Sequence, residues 1–129
     1  MAKKRASRVA KTRNGGTLSE AGFWSMIRSA LRRKWMYWVP RRQVLEQART
    51  PYTGPNKRRK WEYECSVCKG KFDGKEVEVD HLVQAGSLKG YDDVALFIQN
   101  LFVEDLSLLR VVCRPCHKEI TKNQKNQTT

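Results

Sequence analysis

Histidine is scarce in this 129-residue chain, with two copies, and acidic charge is scarce in its first half. Residues 1–60 hold two acidic side chains, Glu20 and Glu46, against 17 Lys and Arg, a net of +15. No apolar run approaches the length of a bilayer span, so no membrane-spanning helix is expected. The opening MAKKRASRVAKTR is basic but has no apolar stretch behind it, so no signal peptide is expected and the chain reads as cytoplasmic. Cysteine is also limited: four copies, all in Cys-x-x-Cys pairs at Cys65/Cys68 and Cys113/Cys116. At this length the chain is one small domain plus an appendage, and so small a core gains from a structural metal.

Residues 61–129 carry 9 Lys and Arg against 11 acidic groups, or −2, so the overall +13 lies outside the cysteine-bracketed part. A segment at +15 binds polyanions, and nucleic acid is the first candidate. An anionic membrane surface is a further candidate, although no lipidation motif accompanies the charge.

The organisation follows from local patterns. Residues 1–16 have no apolar periodicity and read as a disordered basic tail. Thr17-Leu18-Ser19-Glu20 fits a capping box, with Thr17 as N-cap and Glu20 at N3. Phe23, Met26, Ile27, Ala30, Leu31, Trp35 and Trp38 then form one apolar helical stripe, with Arg28, Arg32, Arg33 and Lys34 mostly turned away. Pro40 should end that helix near Trp38, and a second short helix is expected over 41–49. Pro51 to Pro55 reads as a hinge and Lys57-Arg58-Arg59-Lys60 as a basic linker, so 17–60 form a helical DNA-binding arm. Arg28, Arg32, Arg33 and the four linker cations are its candidate phosphate contacts. Residues 61–122 form the second unit: strands over 61–65 and 75–83, a helix with Val94, Phe97, Ile98, Leu101 and Phe102 behind Asp92-Asp93, and a last helix starting near Cys113–Cys116. Residues 123–129 read as a polar tail.

Two Cys-x-x-Cys hooks offer four thiolates, the tetrahedral set that structural Zn²⁺ takes, with disulfides or an iron–sulfur cluster as alternatives. The 44 residues between Cys68 and Cys113 imply that the metal staples separated elements and displays what lies between. Cys113-x-x-Cys116-His117 also satisfies the c-type haem pattern, but that would leave Cys65 and Cys68 unexplained. Both histidines stand beside candidate ligands, as Asp80-His81 and Cys116-His117.

Cys65-x2-Cys68, Val79-Asp80-His81 and Cys113-x2-Cys116-His117, at these spacings, resemble the zinc-containing branch of the HNH (ββα-metal) endonucleases. The stretch DHLVQAGSLKGYDD…LF…LLRVVCRPCH is similar to the short HNH proteins of tailed bacteriophages; the match covers about residues 57–122. The resemblance implies an α+β fold, a ββα-metal module stapled by zinc on the four cysteines and preceded by the basic arm. It implies that Asp80 and His117 bind a catalytic divalent ion, Mg²⁺ or another such as Mn²⁺ or Ni²⁺, and that His81 is the general base. It further implies DNA as substrate, a host cytoplasmic location and a phage terminase as possible partner. Adjacent strand residues diverge, so one can hold an ion while the other addresses water. Arg114 and Lys118 on the last helix are further candidate phosphate contacts.

One position departs from the family. Leu108 stands where the family's middle asparagine braces the loop of the general base, and neither Ser107 nor Asn100 is at the matching place. Thr121 occupies the place where some relatives carry a further ligand. The leading expectation is therefore a DNA-nicking metalloenzyme, against a zinc-stapled nucleic-acid adaptor without catalysis. The charge split further suggests that removing residues 1–60 would cost DNA affinity far more than it damages the nuclease fold.

Overall fold

Strand alternation organises the centre of the molecule. Val77, Val79 and His81 point to one side of a strand and Glu78 and Asp80 to the other. In the computed structural model, which describes residues 9–127, the chain is a mixed α+β fold of four helices and small sheets. Strands β1 (Lys11–Arg13) and β2 (Leu18–Ser19) form a hairpin, followed by helices α1 (Glu20–Trp35) and α2 (Val39–Ala48). A three-stranded antiparallel sheet joins β3 (Arg49–Pro51), β4 (Trp61–Glu64) and β5 (Lys71–Phe72). After a 3-10 turn at Gly74–Glu76 comes β6 (Val77–His81), then helix α3 (Val94–Leu101), β7 (Leu109–Cys113) and helix α4 (Arg114–Gln127). β6 and β7 pair antiparallel, with Val77 opposite Cys113 and Asp80 opposite Arg110. α4 packs on both strands.

Several local expectations change. Of the tail expected over 1–16, residues 1–8 lie outside the described residues, and Lys11–Arg13 are a strand. Arg13 explains this: its guanidinium forks onto Glu20 at 2.8 and 3.0 Å and donates to the Tyr91 hydroxyl at 3.1 Å. Glu20 is consequently not the N3 partner of a capping box. The N-cap is Ser19, whose hydroxyl accepts from the Gly22 amide at 3.0 Å, while Thr17 donates to Asn14 in the preceding turn. Glu20 also accepts from the Trp24 indole at 2.9 Å. Trp24 is therefore in the core, and Met26, expected in the stripe, is exposed. Trp38 leaves α1 and becomes the N-cap of α2, its indole donating to the Val103 carbonyl at 3.0 Å, with Pro40 in the first turn where no amide is needed. Most of the polar tail expected from 123 continues α4; residues 128 and 129 lie outside the described residues.

The expected division at residue 60 is crossed twice. β3 pairs with β4, so 52–60 are the connection of a hairpin rather than a free linker. One apolar core also holds Trp24, Trp35 and Val44 together with Val77, Val79, Phe97, Leu101 and Val111. Phe97 and Leu101, one turn apart on α3, are fully buried, whereas Ile98 is exposed. No helix among the described residues is long and apolar enough to cross a membrane.

Removing residues 1–60 strips two tryptophans from this core, and large-to-small losses of this kind cost about 3–5 kcal/mol per aromatic side chain. The fragment 61–129 is expected to lack cooperative thermal unfolding and a near-ultraviolet dichroism signal, against the expectation from charge alone; a sharply unfolding fragment would contradict the shared core. Acid should act locally. Arg13 holds the Glu20 carboxyl down to about 2 from 4.5. A depressed carboxyl stabilises above its unfolded value, so this anchor is kept above about pH 4.5 and is lost as pH falls toward 2, read as faster amide exchange in the 11–19 hairpin.

Candidate metal centre and adjoining cleft

The first knuckle is built by backbone conformation. After β4 the chain turns so that the Lys69 amide donates to the Cys65 carbonyl and the Cys65 amide to the Gly70 carbonyl, both at 2.9 Å. Lys69 takes a positive φ of 63° to close the turn. At Gly70 a Cβ would meet the Phe72 ring at 2.9 Å, so no side chain fits there without displacing that ring. The Cys68 amide points at the Cys65 sulfur at 3.5 Å, and the Ser66 amide bonds the Val111 carbonyl at 2.8 Å, fixing the knuckle to β7. β7 delivers Cys113, and the first turn of α4 delivers Cys116.

The four sulfurs lie within 4.8 Å of one another, and Cys68 and Cys113 are 3.8 Å apart. A tetrahedral ion with bonds of about 2.3 Å requires sulfur separations of about 3.8 Å. All four are free cysteines, so the disulfide alternative is not what the structure shows. Burial raises the Cys65 thiol, but amides of Cys68, Cys113 and Val67 outweigh it and bring it down to about 6. Cys116 goes the other way, to about 12, through its bond with Cys113 and then burial, and burial raises Cys113. The set suits a dication, which would let all four ionise.

Cys116 carries His117 with it. The His117 ring lies with Nδ1 2.8 Å from Glu78 Oε2 and Nε2 3.9 Å from Asp80 Oδ1. Since Glu78 and Asp80 share the β6 face toward α4, both reach the same imidazole. With Nδ1–H given to Glu78, Nε2 keeps its lone pair toward Asp80, the arrangement in which a second carboxylate orients a metal-binding histidine. Two donors 3.9 Å apart can share one ion at about 2.0–2.2 Å from each. The other Asp80 oxygen is held by Arg110 Nε at 3.0 Å. Asp80 is 8% exposed, so Arg110 offsets a charge that would otherwise be buried alone.

His81 leaves on the opposite face. Its Nε2 lies 2.9 Å from the Leu101 carbonyl, and its ring tilts against Trp35 at 4.5 Å between centroids. A carbonyl can only accept, so Nε2 carries the proton and Nδ1 is the free base. Burial lowers its pKa from the ordinary 6.5, with Arg32 adding to the effect. Asp80, His81 and His117 nonetheless line one cleft of about 450 Å³, walled by Arg32, Trp35, Arg41 and Thr121. Burial also lowers the Arg41 pKa.

The structure thus gathers the two residues expected at the ion, Asp80 and His117, with the expected base His81 in one cleft, and sets the remaining candidates apart. Arg28 donates to the Leu88 carbonyl at 2.8 Å and pins α1 to the 82–93 loop, while Arg32 reaches the cleft. Arg33, Lys57, Arg58, Lys60 and Arg114 are exposed; Arg59 lies over Tyr52 at 4.5 Å. Lys118 borders a shallow depression beside His117. Thr121 spends its hydroxyl on the His117 carbonyl at 3.0 Å. The His81 ring nitrogen meets the Leu101 carbonyl, and neither Ser107 nor Asn100. Ser107 bonds Asp105, whose carboxyl its hydroxyl and amide hold low, and Asn100 lines a separate small pocket. Leu108 braces through its backbone, accepting from the Leu82 amide at 2.9 Å.

Glu78, Arg110, Trp35 and the Leu101 carbonyl were missed from sequence. Only Glu78 had a legible signal, two residues before Asp80 on the same strand face. Chelation of the zinc-loaded protein is expected to lower the thermal midpoint by more than about ten degrees (on the order of the 2–5 kcal/mol that a lost crosslink costs) and to expose four titratable thiols; an unchanged midpoint would count against a structural metal. The chain matches no protein-family model, no curated protein and no solved structure.

Proposed function

We propose that the protein is a metal-dependent HNH endonuclease that hydrolyses DNA phosphodiester bonds, with β6, β7 and α4 as its ββα-metal core and zinc on the four cysteines. The observation that carries this reading is the 3.9 Å approach of His117 Nε2 to Asp80 Oδ1 in a cleft that also contains His81. A divalent ion bound by Asp80 and His117 would supply Lewis-acid stabilisation of the charge that grows on the phosphate and the departing oxygen. Imidazole plus carboxylate suits Mn²⁺ or Ni²⁺ at least as well as Mg²⁺.

The chain's own residues do the rest. His81 Nδ1 takes a proton from water; the water oxygen bonds to phosphorus and the P–O3′ bond breaks, leaving a 5′-phosphate and, after protonation, a 3′-hydroxyl. The Leu101 carbonyl and the Trp35 ring keep His81 in the tautomer and orientation for this. Glu78 holds His117, and Arg32 and Arg41 add positive potential at the cleft wall, where a phosphate must enter. One such site cuts one strand, so a monomer nicks. The basic arm supplies general affinity for the backbone. A place beside a phage terminase belongs to the same proposal.

One observation favours the second reading, an adaptor that grips nucleic acid without cutting it. Arg110 already neutralises Asp80, so the pair is stable with no ion present.

Nicking of supercoiled plasmid in Mn²⁺ or Mg²⁺ separates the two. Wild type is expected to convert it to open circle; His81→Ala should lose on the order of 10²–10⁴-fold in rate. Glu78→Gln should lower the rate and raise the divalent-ion concentration required by roughly 10–100-fold. Activity that persists in clean His81→Ala would remove the general base from the proposal, and an inactive wild type with full zinc would leave the adaptor.

A further inference from the structure

The Lys57–Lys60 run is not a tether between two units. Asn56 folds it into a turn, its side chain accepting from the Arg58 amide at 3.1 Å and its carbonyl from the Arg59 amide at 3.1 Å. The turn is fixed at its base by the Tyr52 amide, which bonds the Lys60 carbonyl at 3.0 Å. This positions Arg58 and Lys60 on one side of a concavity of about 370 Å³, with Trp61 and Tyr63 of β4 as its aromatic lining. Lys75 enters from the 3-10 turn before β6, a separate part of the sequence.

The charges are unspent. Among the described residues, no acceptor meets the side chains of Arg58, Lys60 or Lys75. The one acid in the lining, Asp73, opens the Gly74–Glu76 turn, its carbonyl accepting from the Glu76 amide at 2.9 Å and its amide donating to the Glu76 carboxylate at 3.3 Å, and leaves the cations in excess. Arg59 is the structural member, donating to the Trp61 carbonyl at 3.3 Å and lying over Tyr52. Three unpaired cations on one concavity suit an anion of several charges or several oxygens. The aromatic lining specifies more. Trp61 is 37% exposed, with Arg49 over its ring at 4.0 Å. Cations beside a partly exposed tryptophan ring fit a phosphodiester strand, whose phosphates and bases alternate. In a duplex the base faces cover one another, so such rings gain stacking energy only from an unpaired base.

We infer that the concavity between the 52–60 turn, β4 and the turn at 74–76 is an anchoring site for single-stranded nucleic acid, taking a phosphate on Arg58, Lys60 and Lys75 and a base against Trp61. It rests on the nucleic-acid reading above but not on catalysis, because it shares no lining residue with the Asp80–His117 cleft. The molecule then holds its substrate in two places, and frayed, nicked or gapped DNA is favoured over intact duplex.

Fluorescence anisotropy of the full-length, zinc-loaded chain tests this, with a short labelled oligothymidylate and a duplex of equal length. Trp61→Ala should weaken single-strand binding on the order of tenfold while duplex binding stays within about twofold, and Trp61→Phe should restore most of the loss. Lys75→Ala should weaken single-strand binding and reduce its salt slope by about one. Zinc content and circular dichroism check each variant, and Lys75, on an exposed turn, carries the test should Trp61→Ala fail to fold. Equal losses on both probes, or none on either, overturn the inference while leaving nucleic-acid binding intact. A wild type that binds neither probe overturns both.

Discussion

Four sulfurs held within 4.8 Å of one another cannot all be thiolates unless a cation sits among them. The remainder of the site depends on how that constraint is met. Cys65 and Cys68 come from a knuckle behind β4, Cys113 from the end of β7 and Cys116 from the first turn of α4. An ion on this set crosslinks the three-stranded sheet to the β6–β7 pair and fixes the start of α4. His117 follows Cys116 directly, so its place against Glu78 and Asp80 is inherited from the cysteine cluster. Loosening the sulfurs would therefore be felt at the cleft even though no cysteine lines it.

Around Asp80 the balance is closer. A nearly buried carboxylate must be compensated, and two compensations are at hand: Arg110 on one oxygen and, on the other, whatever His117 shares with it. The cross-strand register that sets Asp80 opposite Arg110 makes the first permanent. In the proposed enzyme Arg110 acts as a brace, holding one oxygen so that the other faces His117. The Leu101 carbonyl does the corresponding job for His81. A backbone group at the end of α3 thus orients the histidine.

The parts of this picture that the sequence made legible are those written in spacing. Cysteine pairs, the alternation of Val77 and Val79, and the apolar set on α3 each depend on residues near in sequence. The structure accordingly places Val77, Val79, Phe97 and Leu101 in the core. What was hidden depends on distant partners. Nothing local says that Arg13 will claim Glu20 and so turn Trp24 inward, or that a pairing between 49–51 and 61–63 will close the supposed linker into a hairpin. The charge contrast between the halves suggested two units, but charge describes surfaces, and the core disregards it. Backbone acceptors such as Leu101 leave no trace in residue identity at all. The resemblance that assigned Asp80, His81 and His117 rests on short motifs, and their convergence in one cleft is a separate geometric fact.

The central claim is that two unlike metal sites adjoin here, a tight one on four sulfurs and an exchangeable one on Asp80 and His117. Electron paramagnetic resonance of Mn²⁺ titrated into the zinc-loaded protein tests it most directly. The account predicts one bound Mn²⁺ per chain beyond the zinc, lost in His117→Ala while the zinc is retained. A wild type that holds its zinc and binds no Mn²⁺, or a His117→Ala protein that binds it unchanged, would contradict the account.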